Sequence, residues 1–132
     1  MSTANFEANL RPPEFFPNHT DWEAGYDEVF SRDVKATFNF QTHDFESLKT
    51  FFAGVYSKVS AGYSEFYIDP VDTVVLPAAQ GLGGNVYMTG RETGVSKADG
   101  KSRTERDAAF GVVGEVDGVR KFTEWRETTN FF

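Results

Sequence analysis

The sequence predicts an α+β fold in which one curved antiparallel sheet wraps over helices. Two observations carry this prediction: apolar residues with helical spacing occur early in the chain, and strand-like runs dominate its later part. Residues 84–132 contain Asp99-Gly100 and Asp117-Gly118 between strand-like runs, and Asp-Gly is a strong signal for a tight hairpin. Helices followed by consecutive antiparallel strands are typical of a layered α+β domain.

The start of the chain is predicted to lie outside the domain. Residues 1–19 are interpreted as an extension, because prolines at positions 12, 13 and 17 disfavour a long helix. Residues 20–132 then form one domain. Thr20 and Glu23 match a capping box at the start of a first helix. Its apolar side carries Trp22, Tyr26, Val29 and Phe30.

The middle of the chain predicts a strand, a helix and a second strand. Residues 33–40 alternate between apolar and polar side chains, as a half-buried strand does. Thr42 or Asp44 caps the following helix, which continues to about residue 60. The next strand, residues 65–76, contains a proline at position 70, which predicts an edge position or a bulge.

The candidate site follows from the register of the last three strands. If both Asp-Gly pairs form two-residue turns, alternation gives one face an aromatic floor, one acid and two arginines. These residues are Tyr87, Phe110, Trp125, Glu127, Arg91 and Arg106. Asp107 falls on the opposite face, and it reaches the site only if a bulge exchanges the faces.

The composition of the chain limits the classes of partner that we expect. The formal net charge of −7 and the pI near 4.8 disfavour nucleic acid and anionic membranes. No apolar run approaches the roughly 18–20 residues that span a bilayer. The chain has no cysteine, and its first residues do not resemble a secretory signal, so we expect a cytoplasmic protein.

Three segments in a fixed order carry a family resemblance: residues 29–34 leading from helix into strand, residues 45–52, and residues 115–122. Across about residues 22–130 the chain resembles the nuclear transport factor 2-like superfamily. That group includes ketosteroid isomerase, SnoaL-like polyketide cyclases, scytalone dehydratase and limonene epoxide hydrolase. The resemblance implies a cone-shaped fold whose bent sheet and helices enclose an apolar pocket.

The residues suggest roles within such a pocket. Glu127 beside apolar walls is a candidate general acid or base, because such surroundings raise the pKa of a carboxyl. Arg91, across Ala108, is expected to polarise a substrate oxygen. Alternatively, Arg91, Arg106 and Glu127 form a structural ion-pair network.

The remaining candidates line the pocket or depend on the resemblance. Tyr87, Phe110 and Trp125 are pocket walls or ordinary core aromatics, and the Tyr26 hydroxyl is a further candidate. In the resemblance, Asn39 stands nearest the acid that ketosteroid isomerase has in its first strand, which makes Asn39 a candidate for contact with the substrate. Asp107 corresponds to the oxyanion-hole aspartate of that enzyme.

The resulting functional hypothesis is a cofactor-independent isomerase, cyclase or dehydratase acting on a small apolar or polycyclic natural-product intermediate. No metal is expected, because the two histidines lie in unrelated loops without metal-ligand spacing. The resemblance implies a homodimer formed through the outer sheet face, which on the predicted register carries Val86, Met88, Val113 and Phe122. The alternative is a non-catalytic domain with the same cone that binds a small ligand or a protein.

Overall fold

The computed structural model describes residues 22–132, which form two helices and one six-stranded sheet. Helix α1 spans Trp22–Val29 and helix α2 spans Phe45–Gly62. The strands are β1 (Phe30–Phe38), β2 (Gln41–His43), β3 (Tyr63–Pro77), β4 (Gly84–Ser96), β5 (Ser102–Val116) and β6 (Val119–Thr129). The predicted extension and the Thr20 capping box lie outside the described residues.

The sheet has the strand order β2-β1-β6-β5-β4-β3. Strand β1 runs parallel to β6, and every other neighbouring pair is antiparallel. The α+β prediction is confirmed, with a curved, open sheet over the helices. The prediction of a purely antiparallel sheet is wrong for one pair, because the last strand returns beside β1 in the same direction.

Local chemistry explains where α2 begins. The Asp44 carboxylate accepts a hydrogen bond from the Ser47 amide at 2.9 Å, and the Ser47 hydroxyl accepts one from the Asp44 amide at 3.1 Å. This reciprocal pair satisfies two backbone donors that the first turn leaves without intrahelical partners. Asp44 is therefore the N-cap, which decides between the two predicted caps.

Strand β3 accommodates its proline in both of the predicted ways. It is an edge strand of the sheet, and its register against β4 shifts between Pro70 and Asp72. A proline lacks the amide proton that a central strand needs, so an edge position with a bulge is where it is tolerated.

The two Asp-Gly hairpins differ. Asp117 and Gly118 have φ values of 52° and 77° and join Val116 to Val119 in the predicted two-residue turn. Asp99 and Gly100 instead belong to a longer loop, residues 97–100, in which the Gly100 amide donates to the Ser96 carbonyl at 2.9 Å. The β4–β5 register is therefore displaced by two residues from the prediction, which changes the cross-strand partners but not the faces.

A β-bulge at Thr123 exchanges the faces of the second half of β6. Val113 pairs with Phe122, whereas Val112 pairs with Glu124, so Thr123 is an extra residue in β6. Phe122 and Trp125 are 0% and 3% exposed. Strict alternation would put these two large side chains on opposite faces; the bulge buries both.

The core lies between the helices and one face of the sheet, which we call the inner face; the opposite one is the outer face. Tyr26, Phe30, Leu48 and Phe122 are the largest fully buried side chains. Around them pack Trp22, Val34, Ala36, Phe38, Phe45, Phe52, Val75, Val86, Ala109, Val113 and Trp125. Neither of the helices in residues 22–132 is long and apolar enough to cross a membrane.

Candidate functional site

The inner face of β4, β5 and β6 gathers three carboxyl groups, which we call the acid cluster. One oxygen from each of Glu92, Asp107 and Glu127 lies within 4.8 Å of the others. Glu92 is 3% exposed, and Asp107 and Glu127 are partly buried. Three acids at this distance repel one another when ionised, so the arrangement favours bound protons.

Backbone positions explain how the acids come together. The bulge at Thr123 turns Glu127 toward the inner face, in register with Ala109. Gly90 pairs with Asp107 across the sheet, and a Cβ atom at Gly90 would lie 2.5 Å from Asp107 Oδ1. The glycine therefore leaves the space that the Asp107 carboxyl occupies.

Each acid has a different set of hydrogen-bond partners. The indole Nε1–H of Trp125 donates to Glu127 Oε2 at 3.0 Å. The Thr129 hydroxyl accepts from the Phe131 amide at 3.0 Å, and its interaction with the Glu92 carboxyl lowers the pKa of Glu92. Asp107 Oδ1 is buried and has no hydrogen-bond partner among the described residues. Such an atom is costly to leave unpaired and is available to a ligand or a proton.

Burial raises the pKa of all three acids. It raises the pKa of Glu127 from 4.5 to about 8, opposed by the Trp125 hydrogen bond and reinforced by the neighbouring acids. Burial raises the pKa of Glu92 from 4.5 to about 7, opposed by the Thr129 hydrogen bond and reinforced by Asp107. Burial also raises the pKa of Asp107, against hydrogen bonds from the backbone. The cluster therefore holds protons near neutral pH, where it can both donate and accept them.

A small cavity adjoins the cluster. Its volume is about 40 Å³. Glu92 and Glu127 form its polar wall, and the apolar wall consists of Phe38, Phe52, Val55, Phe66, Ile68 and Phe132. This volume holds about one water molecule. Pockets for small organic ligands typically measure about 300–1,000 Å³, so wall side chains must move before such a ligand can enter.

The structure brings together Trp125, Glu127 and Asp107 of the predicted site residues. Arg91 and Arg106 are exposed on the outer face, directly opposite each other on β4 and β5. The predicted row of Arg91, Ala108 and Glu127 is wrong, because the bulge pairs Ala108 with Thr128. The alternative ion-pair network does not form either, since these arginines and Glu127 lie on opposite faces.

Four further predicted residues lie away from the acid cluster. Tyr87 and Phe110 are 44% and 36% exposed on the outer face. The buried Tyr26 hydroxyl donates to the Phe45 carbonyl at 2.8 Å, so it caps no cavity, and burial raises its pKa. The Asn39 side chain accepts from the Thr129 amide at 2.9 Å. Each has a structural contact or an outward position instead of a place at the cavity wall.

The sequence interpretation missed Glu92, Thr129 and Phe132 as parts of the site. Alternation from the turns puts Glu92, like Asp107, on the face opposite the predicted site, and the structure shows that opposite face to be the inner one. The signal that could have corrected this is the spacing of Phe122 and Trp125. Two large apolar residues three positions apart cannot both be buried in a regular strand.

The acid cluster is also the group of described residues that could hold a metal ion. Hard divalent cations prefer carboxylate oxygens, and they take six or more oxygen ligands. A cation would compete with the bound protons, because a ligating carboxyl must be ionised.

Comparisons with known proteins identify the fold. No protein-family model matches the sequence, and no curated protein matches it significantly. Among solved structures, LinA superposes with a TM-score of 0.75 at 14% identity over 98% of this chain and 87% of its own. An NTF2-like protein of unknown function from Exiguobacterium sp. 255-15 gives 0.64 at 15% identity, over 96% of this chain and 99% of its own.

A third structure is that of hexachlorocyclohexane dehydrochlorinase LinA-type3 from Novosphingobium barchaimii LL02. Its TM-score is 0.59 at 15% identity, over 79% of this chain and 70% of its own. The chain thus has the fold of the nuclear transport factor 2-like superfamily, and the resemblance seen in its sequence is confirmed at the level of the fold.

Proposed function

We propose that this protein is a cofactor-independent enzyme that moves protons on a small, largely apolar molecule. The observation that carries the proposal is the acid cluster beside an aromatic cavity, since carboxyls with pKa values of about 7 and 8 are suited to acid–base work at neutral pH. The reaction class is isomerisation, cyclisation or elimination of water or a comparable leaving group. One protein with the same fold is by name a dehydrochlorinase.

The roles follow from the hydrogen bonds. Glu127, whose Oε2 is occupied by Trp125, is the general acid that delivers a proton from its other oxygen. Asp107, with an unpartnered oxygen, is the general base that takes a proton from a substrate carbon. In an elimination, the first proton goes to Asp107 while Glu127 protonates the leaving oxygen. In an isomerisation, the proton taken from one carbon is returned to another. The elimination thus moves the negative charge from Asp107 to Glu127, and transfer of a proton between these two neighbouring acids restores the starting state.

The small cavity favours a second candidate function. A cone filled by its own side chains is the arrangement expected of a non-catalytic binding or interaction domain, and about 40 Å³ is little space. Catalysis requires Phe132, the partly exposed member of the cavity wall, to move aside for the substrate. Fold alone does not decide between these functions.

The test is proton exchange into candidate substrates. The wild-type protein is incubated in D₂O with small apolar ketones, polyketide intermediates and hydroxylated polycyclic compounds, and deuterium incorporation and products are followed by mass spectrometry. The proposal expects incorporation or elimination above the buffer rate. Compounds that bind, by ligand-observed NMR, but never exchange or react would assign the protein to the non-catalytic alternative.

The side chains that the sequence predicted for the pairing face, Val86, Val113 and Phe122, are buried on the inner face, so they cannot form it. We further propose that two copies pair through the outer face that the structure defines. Its exposed apolar side chains include Val74, Leu76, Tyr87 and Phe110, which occupy adjoining positions on β3, β4 and β5. Burial of such a patch contributes to association roughly in proportion to its area. Light scattering at tens of micromolar should give twice the chain mass of 14.8 kDa, and Phe110→Glu should return the monomer mass. A wild-type monomer at this concentration contradicts the pairing.

A further inference from the structure

Asn39 occupies an unusual backbone position at the end of β1. It lies in the tight turn that joins Phe38 to Gln41, and its φ is 51°. Asparagine is among the few residues other than glycine that adopt this left-handed conformation readily. The next residue, Phe40, is fully exposed. Packing of this side chain therefore does not explain why the turn lies against the sheet.

Two hydrogen bonds connect this turn to β6. The Asn39 amide donates to the Glu127 carbonyl at 2.8 Å, and the Thr129 amide donates to Asn39 Oδ1 at 2.9 Å. The parallel ladder between β1 and β6 has Phe38 and Glu127 as its last pair. Beyond it, the β1 backbone turns away, and the side-chain carbonyl of Asn39 supplies the acceptor that a backbone carbonyl would have supplied.

The two hydrogen bonds, which together we call the tether, hold residues 127–129 of β6. This segment affects two of the three acids. It contains Glu127 itself and Thr129, whose side chain bonds to Glu92. The titratable groups that face Glu127 are Glu92 on β4 and Asp107 on β5. Helix α2, β1 and β3 present apolar side chains to the cavity. The position of this segment therefore decides how far each acid stands from the others and from water.

We propose that Asn39 is a positioning residue for the acid cluster: it holds the end of β6 so that Glu127 and Thr129 stay at the cavity wall. The effect of Asn39 on catalysis rests on the proposed function, whereas its effect on the position and the proton affinity of Glu127 does not. This role replaces the direct substrate contact that the sequence suggested for Asn39, because its side-chain oxygen is engaged by Thr129.

The experiment compares Asn39→Gly with wild type by NMR. Glycine keeps the left-handed turn and removes only the side-chain acceptor. Two signals are followed: hydrogen exchange of the Thr129 amide, and the pH titration of the Trp125 indole N–H, which reports on Glu127 through their hydrogen bond. Trp22→Phe assigns the two indole signals. Loss of the tether should speed Thr129 exchange at least tenfold. The proton affinity of Glu127 should also fall at least tenfold, so that the midpoint of its titration moves to lower pH. The reason is that water reaches a carboxyl that burial had kept neutral.

Two further variants make the result decisive. Asp44→Ala removes the N-cap of α2 and lowers global stability without touching the tether, so it should leave the Glu127 midpoint in place. Asn39→Asp retains a side-chain acceptor and should retain the slow exchange of the Thr129 amide, which keeps the test available if Asn39→Gly does not fold. The proposal is overturned by an unchanged midpoint in Asn39→Gly, by an equal shift in Asp44→Ala, or by fast Thr129 exchange in Asn39→Asp. None of these readouts needs a substrate, so a failure of the proposed enzymatic function is recorded separately.

Discussion

The two faces of the sheet differ in the charged side chains that they carry, although these side chains come from neighbouring residues of the same strands. The three adjacent strands β4, β5 and β6 each carry an arginine followed directly by an acid: Arg91-Glu92, Arg106-Asp107 and Arg126-Glu127. All three arginines are exposed on the outer face, and all three acids reach the inner face. Alternation along a strand separates each pair, and the Thr123 bulge is what brings the third pair into line with the other two.

The difference has a simple physical cause. A carboxyl group moved out of water can take up a proton and become neutral, which removes most of the cost of burial. A guanidinium group stays protonated in proteins and has no such route. The inner face therefore tolerates the acids as proton carriers, whereas the arginines remain in water. Substitutions on the inner face should therefore have larger effects than matched substitutions on the outer face.

The largest expected effect is on catalysis. Glu127→Gln keeps the shape and the Trp125 hydrogen bond but removes the transferable proton, so the turnover number should fall by about 10²–10⁴-fold. The matched control is Arg126→Gln, one residue earlier and on the outer face, which should stay within about twofold of wild type, since surface substitutions are usually mild. Rates are measured on the first substrate that the deuterium-exchange screen identifies. Equal rates for Glu127→Gln and wild type would remove Glu127 from the mechanism.

The second effect is on packing at the bulge. A Cβ atom at Gly111 would lie 2.4 Å from the ring of Phe122, which is fully buried. Gly111→Ala should therefore lower the free energy of unfolding by about 1–3 kcal/mol, as overpacked cores do. Thr128→Ala on the outer face should change it by less than about 0.5 kcal/mol. Urea denaturation checks both, and equal small effects would mean that the inner face at the bulge is not tightly packed.

The third effect is on stability against pH. The pKa values of Glu92 and Glu127 rise from 4.5 to about 7 and about 8 on folding, so between about pH 4.5 and 8 the folded protein holds more protons than the unfolded chain. The free energy of unfolding should therefore fall as pH rises through that range, by up to about 5 kcal/mol between pH 5.5 and 8.5 if both acids contribute independently. Asp44, whose hydrogen bonds to Ser47 lower its pKa, acts in the opposite sense but only at more acid pH.

Denaturation at the two pH values measures this slope. Glu127→Gln should flatten it, and Glu124→Gln, which leaves all three acids of the cluster in place, should not. A wild-type stability that rises from pH 5.5 to 8.5 would show that the acids are ionised in the folded protein.

The smallest effect is expected from the outer arginines. Arg91 and Arg106 face each other across β4 and β5, and like charges in such positions are mildly unfavourable. Arg91→Gln should therefore leave activity unchanged and alter the free energy of unfolding by less than about 0.5 kcal/mol. A large loss of substrate affinity in Arg91→Gln would restore the sequence-based role of this residue and break the contrast between the faces.

The fold could be predicted from the sequence because the signals for its elements are local. The helix cap at Asp44, the edge position of the Pro70 strand and the turn at Asp117-Gly118 depend on residues within a few positions of one another. The Asp99-Gly100 loop was misread because its geometry depends on other contacts. The Lys97 amide donates to the Gly62 carbonyl at 2.9 Å, and the Lys97 ammonium donates to the Ser60 carbonyl at 2.6 Å, at the end of α2. These tertiary bonds favour the longer loop over a two-residue turn.

The site was only partly predictable for a related reason. Glu127, Asp107 and Trp125 were among the candidates, but the faces were assigned by counting from the turn, and the count is broken at Thr123. The bulge is stabilised by packing of Phe122 and Trp125 between the helices and Gly111, which are distant in sequence. A register counted from the turns alone does not take this packing energy into account.

The bulge also determines the sign of the charge that β6 places inside the molecule. If Thr123 paired as a regular strand residue instead, alternation would continue from Phe122, so that Trp125 and Glu127 would turn outward and Arg126 would turn inward. Glu92 and Asp107 would then meet a permanent cation in place of a third proton carrier. The same strands would enclose an ion pair instead of an exchangeable store of protons. Which of Arg126 and Glu127 lies inside therefore depends on the bulge and not on the identity of either side chain.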